Sequence, residues 1–135
     1  MNNYTIDEDI TLMYVTAASF PDGIMAAFQQ LQSKASYTAE TIYYGISFPD
    51  KNGSIIYKAA AEAKNQEEAA EAGLETFIVK KGTYACILVQ DFMKHTAAVG
   101  EAFQQLLKHP QLDPQGFCLE MYRNKTDVQC MVPLK

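Results

Sequence analysis

Two spacings of apolar residues organise this chain. Ile24, Phe28 and Leu31 fall at i, i+4 and i+7, and so do Val99, Phe103 and Leu106. Each triplet puts its apolar groups on one face of a helix. Around them lie shorter runs with the alternation of strands: Ile10 to Thr16, Thr41 to Phe48, Ser54 to Lys58, Tyr84 to Val89, Phe117 to Tyr122 and Val128 to Leu134. In chain order the pattern is strand, helix, strand, strand, and then the same again.

The two helices also share letters. Ala27-Phe28-Gln29-Gln30-Leu31 reappears as Ala102-Phe103-Gln104-Gln105-Leu106, 75 positions later. The flanks keep that offset, with Ile42 over Phe117, Tyr44 over Leu119 and Ile46 over Met121. A polar turn follows each of these strands, Asp50-Lys51-Asn52-Gly53 and Arg123-Asn124-Lys125-Thr126. Asn-Gly between apolar runs signals a hairpin. The expected fold is α+β, a duplicated strand-helix-strand-strand unit with repeats at about 10–64 and 75–135 in a single domain spanning 1–135. The sheet should be largely antiparallel, with helices on one side and a ligand cleft at the seam between halves.

Residues 1–9 read as a short, partly ordered lead-in. Ser19 is placed to cap the first helix, with Pro21 in its first turn and Asp22 complementing its dipole. That helix should fade near Lys34 to Ser36. Asp91 is the candidate cap of the second helix, and His109-Pro110 ends it. Ala59 to Leu74 reads as the linker between halves, with a short helix capped by Asn65. Lys80 to Tyr84 is a turn into the next strand, and Asp113-Pro114-Gln115-Gly116 is a loop.

Composition narrows the class. The 135 residues are 48% hydrophobic and 20% charged, as expected of one ordinary globular domain. No run approaches the roughly 18 apolar residues of a membrane helix. The start, Met1 to Glu8, is polar and acidic and lacks the features of a secretory signal. Cys86, Cys118 and Cys130 are an odd number, all in apolar runs, and read as buried free thiols in a reducing cytoplasm. The net charge of −5 and scattered Lys and Arg argue against direct nucleic-acid binding. His95 and His109 lack partners at metal-ligand spacing and are expected on the surface. No phosphate loop, nucleophile elbow or CxxC is present, so neither a cofactor nor a metal site is expected.

Alternation also sorts side chains by face. Ile42, Tyr44, Ile46 and Phe48, with Phe117, Leu119 and Met121, are assigned to the helix side. Tyr43, Gly45 and Ser47, with Cys118, Glu120 and Tyr122, go to the other. Glu120 stands out as a carboxylate inside an apolar strand, where an unpaired charge is costly. Two readings stay open: a solvated face with a Lys or Arg partner, or the polar anchor of a ligand. The chain has eight Tyr and no Trp. Tyr43 is the first candidate for an aromatic wall beside Glu120, then Tyr122, then Tyr57, whereas Tyr4 and Tyr37 read as ordinary packing residues. The repeat offset places Glu120 over Gly45 and Tyr122 over Ser47, so the two copies differ on this face.

With these features in place, the chain resembles the GyrI-like small-molecule-binding domain, the effector-binding domain of bacterial transcription activators. The resemblance rests on Lys81-Gly82-Thr83-Tyr84, the Ala102-Phe103 helix, Leu119-Glu120-Met121-Tyr122 as the family's E-x-Y strand, and Asp127 to Leu134 as its closing strand. It covers Ile10 to Leu134. It implies a cleft between two halves, lined by a central glutamate and aromatic side chains, for hydrophobic or cationic drugs. The family glutamate falls on Glu120. Members are fused to AraC- or MerR-type DNA-binding regions or stand alone, and some stand-alone members look like hydrolases of cyclopropane-containing compounds. With no Trp here, any role of a family Trp would pass to Tyr or Phe.

The expected function is stand-alone binding of small hydrophobic or cationic organic molecules by Glu120, Tyr43, Tyr57, Tyr122 and Cys118. One alternative is a hydrolase of small electrophiles with Glu120 as general base. Another is a protein-inhibitor module suited to a basic target. A role in transcription would need a separate partner regulator protein.

Overall fold

The computed structural model describes residues 1–35, 38 and 40–135. Among the described residues, eight strands form one curled antiparallel sheet and three helices cover one of its faces. The elements are β1 (Asn2–Ile6), β2 (Ile10–Thr16), α1 (Ile24–Lys34), β3 (Tyr43–Pro49), β4 (Ile55–Glu62), α2 (Gln66–Glu71), β5 (Glu75–Val79), β6 (Gly82–Val89), α3 (Thr96–Leu106), β7 (Cys118–Tyr122) and β8 (Val128–Pro133). The fold is α+β, and β2-α1-β3-β4 recurs as β6-α3-β7-β8.

Across the sheet the order is β1-β6-β8-β7-β3-β4-β2-β5. The halves meet at β3 and β7, where Tyr43 faces Tyr122, Gly45 faces Glu120 and Ser47 faces Cys118. Gly45 and Glu120 are thus partners in register and also equivalents in the repeat. A pseudo-twofold axis therefore passes through that pair. The hairpin after β3 is closed by Asp50, whose carboxylate accepts from the backbone N–H of Asn52 and Ser54, while Gly53 supplies a φ of 83°.

The lead-in is an ordered strand. β1 pairs with β6 of the second half, from Asn2↔Cys86 to Ile6↔Gly82. β5, between the segment read as linker and the turn at Lys80 to Tyr84, pairs with β2 of the first half, from Ile10↔Val79 to Tyr14↔Glu75. Each half lends the strand before its own unit to the edge of the other. The linker does contain a short helix, and the Asn65 side chain accepts from the Glu68 N–H as its cap.

The face assignment is reversed. Leu119, Met121, Tyr44 and Ile46 lie on the helix-free face, in a cluster to which all eight strands contribute. Both edge strands reach it, through Ile6 and Val79, so the curled sheet buries this face against itself. Tyr43, Tyr57, Cys118 and Tyr122 lie on the face beneath the helices. Both faces are buried, so apolarity by itself does not say which one meets the helices.

The repeated pentapeptide does the same work twice. Ala27 and Leu31 are buried under α1, and Ala102 and Leu106 under α3. α1 lies over β2 and β4, and α3 over β6 and β8. The helix starts differ from expectation. α1 begins at Ile24 behind Gly23, after a turn in which the Gly23 N–H donates to the Ser19 carbonyl at 3.1 Å, so Ser19 caps nothing. α3 begins at Thr96, and Asp91, at φ 51°, takes Asp127 Oδ1 on its own N–H. α3 ends at Leu106, short of His109-Pro110. Ser36, at the expected end of the first helix, and Tyr37 lie outside the described residues.

Leu31 and Leu106 are both fully buried. Leu31→Ala and Leu106→Ala should each lower the unfolding free energy by about 2–5 kcal/mol, while Gln29→Ala and Gln104→Ala stay within about 0.5 kcal/mol, as read by urea denaturation.

Candidate functional site

The pseudo-axis carries one carboxylate. Glu120 sits between Gly45 on β3 and Cys130 on β8, and Gly45 in turn faces Ala59 on β4. The row beneath the helices is therefore Ala59, Gly45, Glu120, Cys130, three small residues and one long acid. Tyr57 leans into the space above Gly45. A methyl group at Gly45 would overlap the Tyr57 hydroxyl and come within 2.5 Å of Glu120 Oε1.

Two tyrosines hold the acid. The Tyr57 hydroxyl donates to Glu120 Oε1 at 2.8 Å, and the Tyr122 hydroxyl donates to the same oxygen at 2.5 Å. The solvated-face reading with a Lys or Arg partner is not what the fold builds. Among the described residues the ion pair formed within 4.0 Å joins Lys80 to Asp9, remote from Glu120 in the sheet.

A ring of aromatics surrounds this centre. Phe28 of α1 meets Tyr43, Tyr57 and Tyr122 edge-on at 6.0, 6.4 and 6.3 Å. Phe20 stacks on Tyr57 at 5.9 Å, and Phe92 lies 5.4 Å from Tyr122. The rings crowd the seam and leave Glu120 partly buried.

Burial raises the pKa of Glu120, and the hydrogen bonds from Tyr122 and Tyr57 pull it partly back. Burial and the neighbouring carboxylate push both tyrosines well above the usual phenol range, so they stay protonated donors. Burial, reinforced by Glu120, lifts the Cys118 thiol to about 11 and the Cys130 thiol to about 12. Neither is a thiolate at neutral pH, and neither is an activated nucleophile.

Of the residues singled out in the sequence, Glu120, Tyr43, Tyr57 and Tyr122 come together. Cys118 shares their face, beside Ser47. Phe20, Phe28 and Phe92 escaped the sequence reading. Phe28 belongs to the repeated pentapeptide and looked like scaffold; like its counterpart Phe103 it packs against the core beneath its helix, but it also meets the three tyrosines. His95 is exposed, and His109 Nδ1 accepts from the Gln111 N–H at 3.0 Å. Among the described residues no group of three or more His, Cys, Asp or Glu is placed to hold a metal ion. Among them, too, no helix is long and apolar enough to cross a membrane. A separate groove of about 660 Å³ runs between the end of α1 and α2, lined by Met13, Lys34, Ile42, Glu62, Lys64 and Glu71.

Solved structures share this fold. SAV2435 bound to tetraphenylphosphonium superposes with a TM-score of 0.64 at 16% identity, over 99% of this chain and 93% of that one. An integron cassette protein from the mobile metagenome of Vibrio cholerae gives 0.72 at 12% identity, over 99% and 95%. A hydrolase from Listeria innocua gives 0.57 at 11% identity, over 99% and 92%. At such identities the likeness establishes the fold, not the chemistry. No family model matches the sequence, and no curated protein does.

Two outcomes test this geometry. Gly45→Ala should cost about 1–3 kcal/mol, because Tyr57 is buried and has little room to retreat. Unfolding in urea reads it, and a neutral effect would show that the site tolerates a side chain on the axis. The second concerns pH. A folded-state pKa above the ordinary 4.5 means that the folded protein binds the proton more tightly than the unfolded chain. This contribution to stability is full below the ordinary value and is lost as pH rises through the folded one. Glu120→Gln removes the titration. Its stability relative to wild type should therefore climb with pH above about 4.5, by at most about 1.4 kcal/mol per unit, and then level off. A difference that stays flat in a pH series of urea midpoints would contradict the assignment.

Proposed function

We propose that this protein binds small hydrophobic or cationic organic molecules at the seam, as a GyrI-like domain spanning 1–135. Glu120 is the anchor. Tyr43, Tyr57 and Tyr122 form the aromatic wall, and Cys118 lies at its margin. The observation that carries this reading is a part-buried carboxylate held by two tyrosine hydroxyls rather than by a cation, inside a cluster of aromatic rings. Once ionised, such a carboxylate has hydrogen bonds but no countercharge. An organic cation supplies the countercharge, and ring faces add attraction while excluding water. The tetraphenylphosphonium bound to SAV2435, on the same fold, supports the reading by analogy.

Calorimetric titration with tetraphenylphosphonium tests it. Wild-type affinity should rise with pH as Glu120 ionises. Glu120→Gln should bind about tenfold or more weakly, with no pH dependence in that range. Equal affinity in the two proteins would remove Glu120 as the anchor. Turnover of an electrophilic ligand that is lost in Glu120→Gln would move the assignment to the hydrolase alternative.

A further inference from the structure

Phe20 is a large apolar side chain left 45% exposed, yet it is held in one place. It sits on the turn between β2 and α1. The Ala17 N–H donates to the carbonyl of Tyr57 itself at 2.8 Å, which ties the start of this turn to the strand beneath. At the other end Gly23 lies so close to Ser19 that an added Cβ would stand 2.8 Å from Ser19 N and O. Between these tethers the Phe20 ring stacks on Tyr57 at 5.9 Å and 28°. Tyr57 is 2% exposed and donates to Glu120. One face of Phe20 therefore covers the tyrosine that holds the anchor, and the other meets solvent.

On the opposite flank Phe92 lies against Tyr122 at 60°, tilted rather than stacked, and is only partly exposed. The two flanks are unequal, and Phe20 is the solvent-facing ring that covers Tyr57.

We propose that Phe20 sets the ligand selectivity of the seam, favouring cations that carry aryl groups over aliphatic cations of the same charge. This rests on the binding reading above. A ligand reaching Glu120 beside Tyr57 must lift Phe20 from its stack. An aryl group replaces that ring–ring contact with one of its own to Phe20 or Tyr57. An alkyl group does not, and its binding carries the loss. A contact of this kind corresponds to about two- to tenfold in affinity.

The test compares tetraphenylphosphonium with tetrabutylphosphonium on wild type, Phe20→Ala and Phe20→Leu. Wild type should prefer the aryl cation. Phe20→Ala has no stack to break, so the alkyl cation should bind about two- to tenfold more tightly and the preference should shrink by a similar factor. Phe20→Leu, which keeps apolar bulk without a ring, should behave like the alanine variant. An unchanged aryl-to-alkyl ratio in both variants, with Glu120-dependent binding intact, overturns the selectivity role alone. If neither cation binds wild type in a Glu120-dependent way, the binding reading has failed and the selectivity claim falls with it. A ligand-free measurement checks the cover itself. The chain has no Trp, so tyrosine emission is directly readable. Phe20→Ala should increase acrylamide quenching, and the increase should vanish in a Tyr57→Phe background. No increase means that Phe20 does not shield Tyr57, and the proposal is wrong whatever binds.

Discussion

The structure turns on a symmetry that is broken at one point. A twofold axis through an antiparallel strand pair brings two equivalent residues face to face on the same side of the sheet. Here the residues are Gly45 and Glu120. Two glutamates there would set like charges opposite each other, and two glycines would leave the seam without a carboxylate. One of each gives a single carboxylate at the centre of the seam, with room beside it. Tyr57 uses that room, and its hydroxyl and that of Tyr122 converge on one oxygen.

The rest of the fold keeps that point in place. Only β3 and β7 join the halves at the centre, but β1 and β5 cross over to the opposite halves at the edges. The sheet curls so that its helix-free face is buried by its own strands. Beneath the helices α1 and α3 lie over the outer strands of each half, so the seam runs between them. Aromatic rings then line that seam. Phe28 is the one that touches all three tyrosines, and it does so from the helix that otherwise only repeats its partner.

The electrostatics follow from burial. Glu120 is pushed toward its neutral form by desolvation and toward its charged form by two hydrogen bonds, and desolvation is the larger effect. The same low dielectric keeps the tyrosines protonated and the thiols inert. Glu120 is thus pulled both ways, while Tyr57, Tyr122, Cys118 and Cys130 beside it stay neutral at pH 7.

The sequence by itself determined the duplicated unit, the two helices and six of the strands, because periodicity and a 75-residue offset are local records of packing. It also marked Glu120, since a charge in an apolar strand is visible in one dimension. It did not reveal β1 and β5. Both are only five residues long, the second falls just past the Ala- and Glu-rich linker, and both are stabilised by pairing with distant strands. Which face meets the helices was decided by the curl of the sheet, a property of all eight strands together. The company Glu120 keeps was decided the same way. Tyr57 lies 63 positions away and reaches the carboxylate only because Gly45 leaves the intervening position empty. Alternation fixes the direction of a side chain along its own strand, and only the assembled sheet decides what stands opposite it.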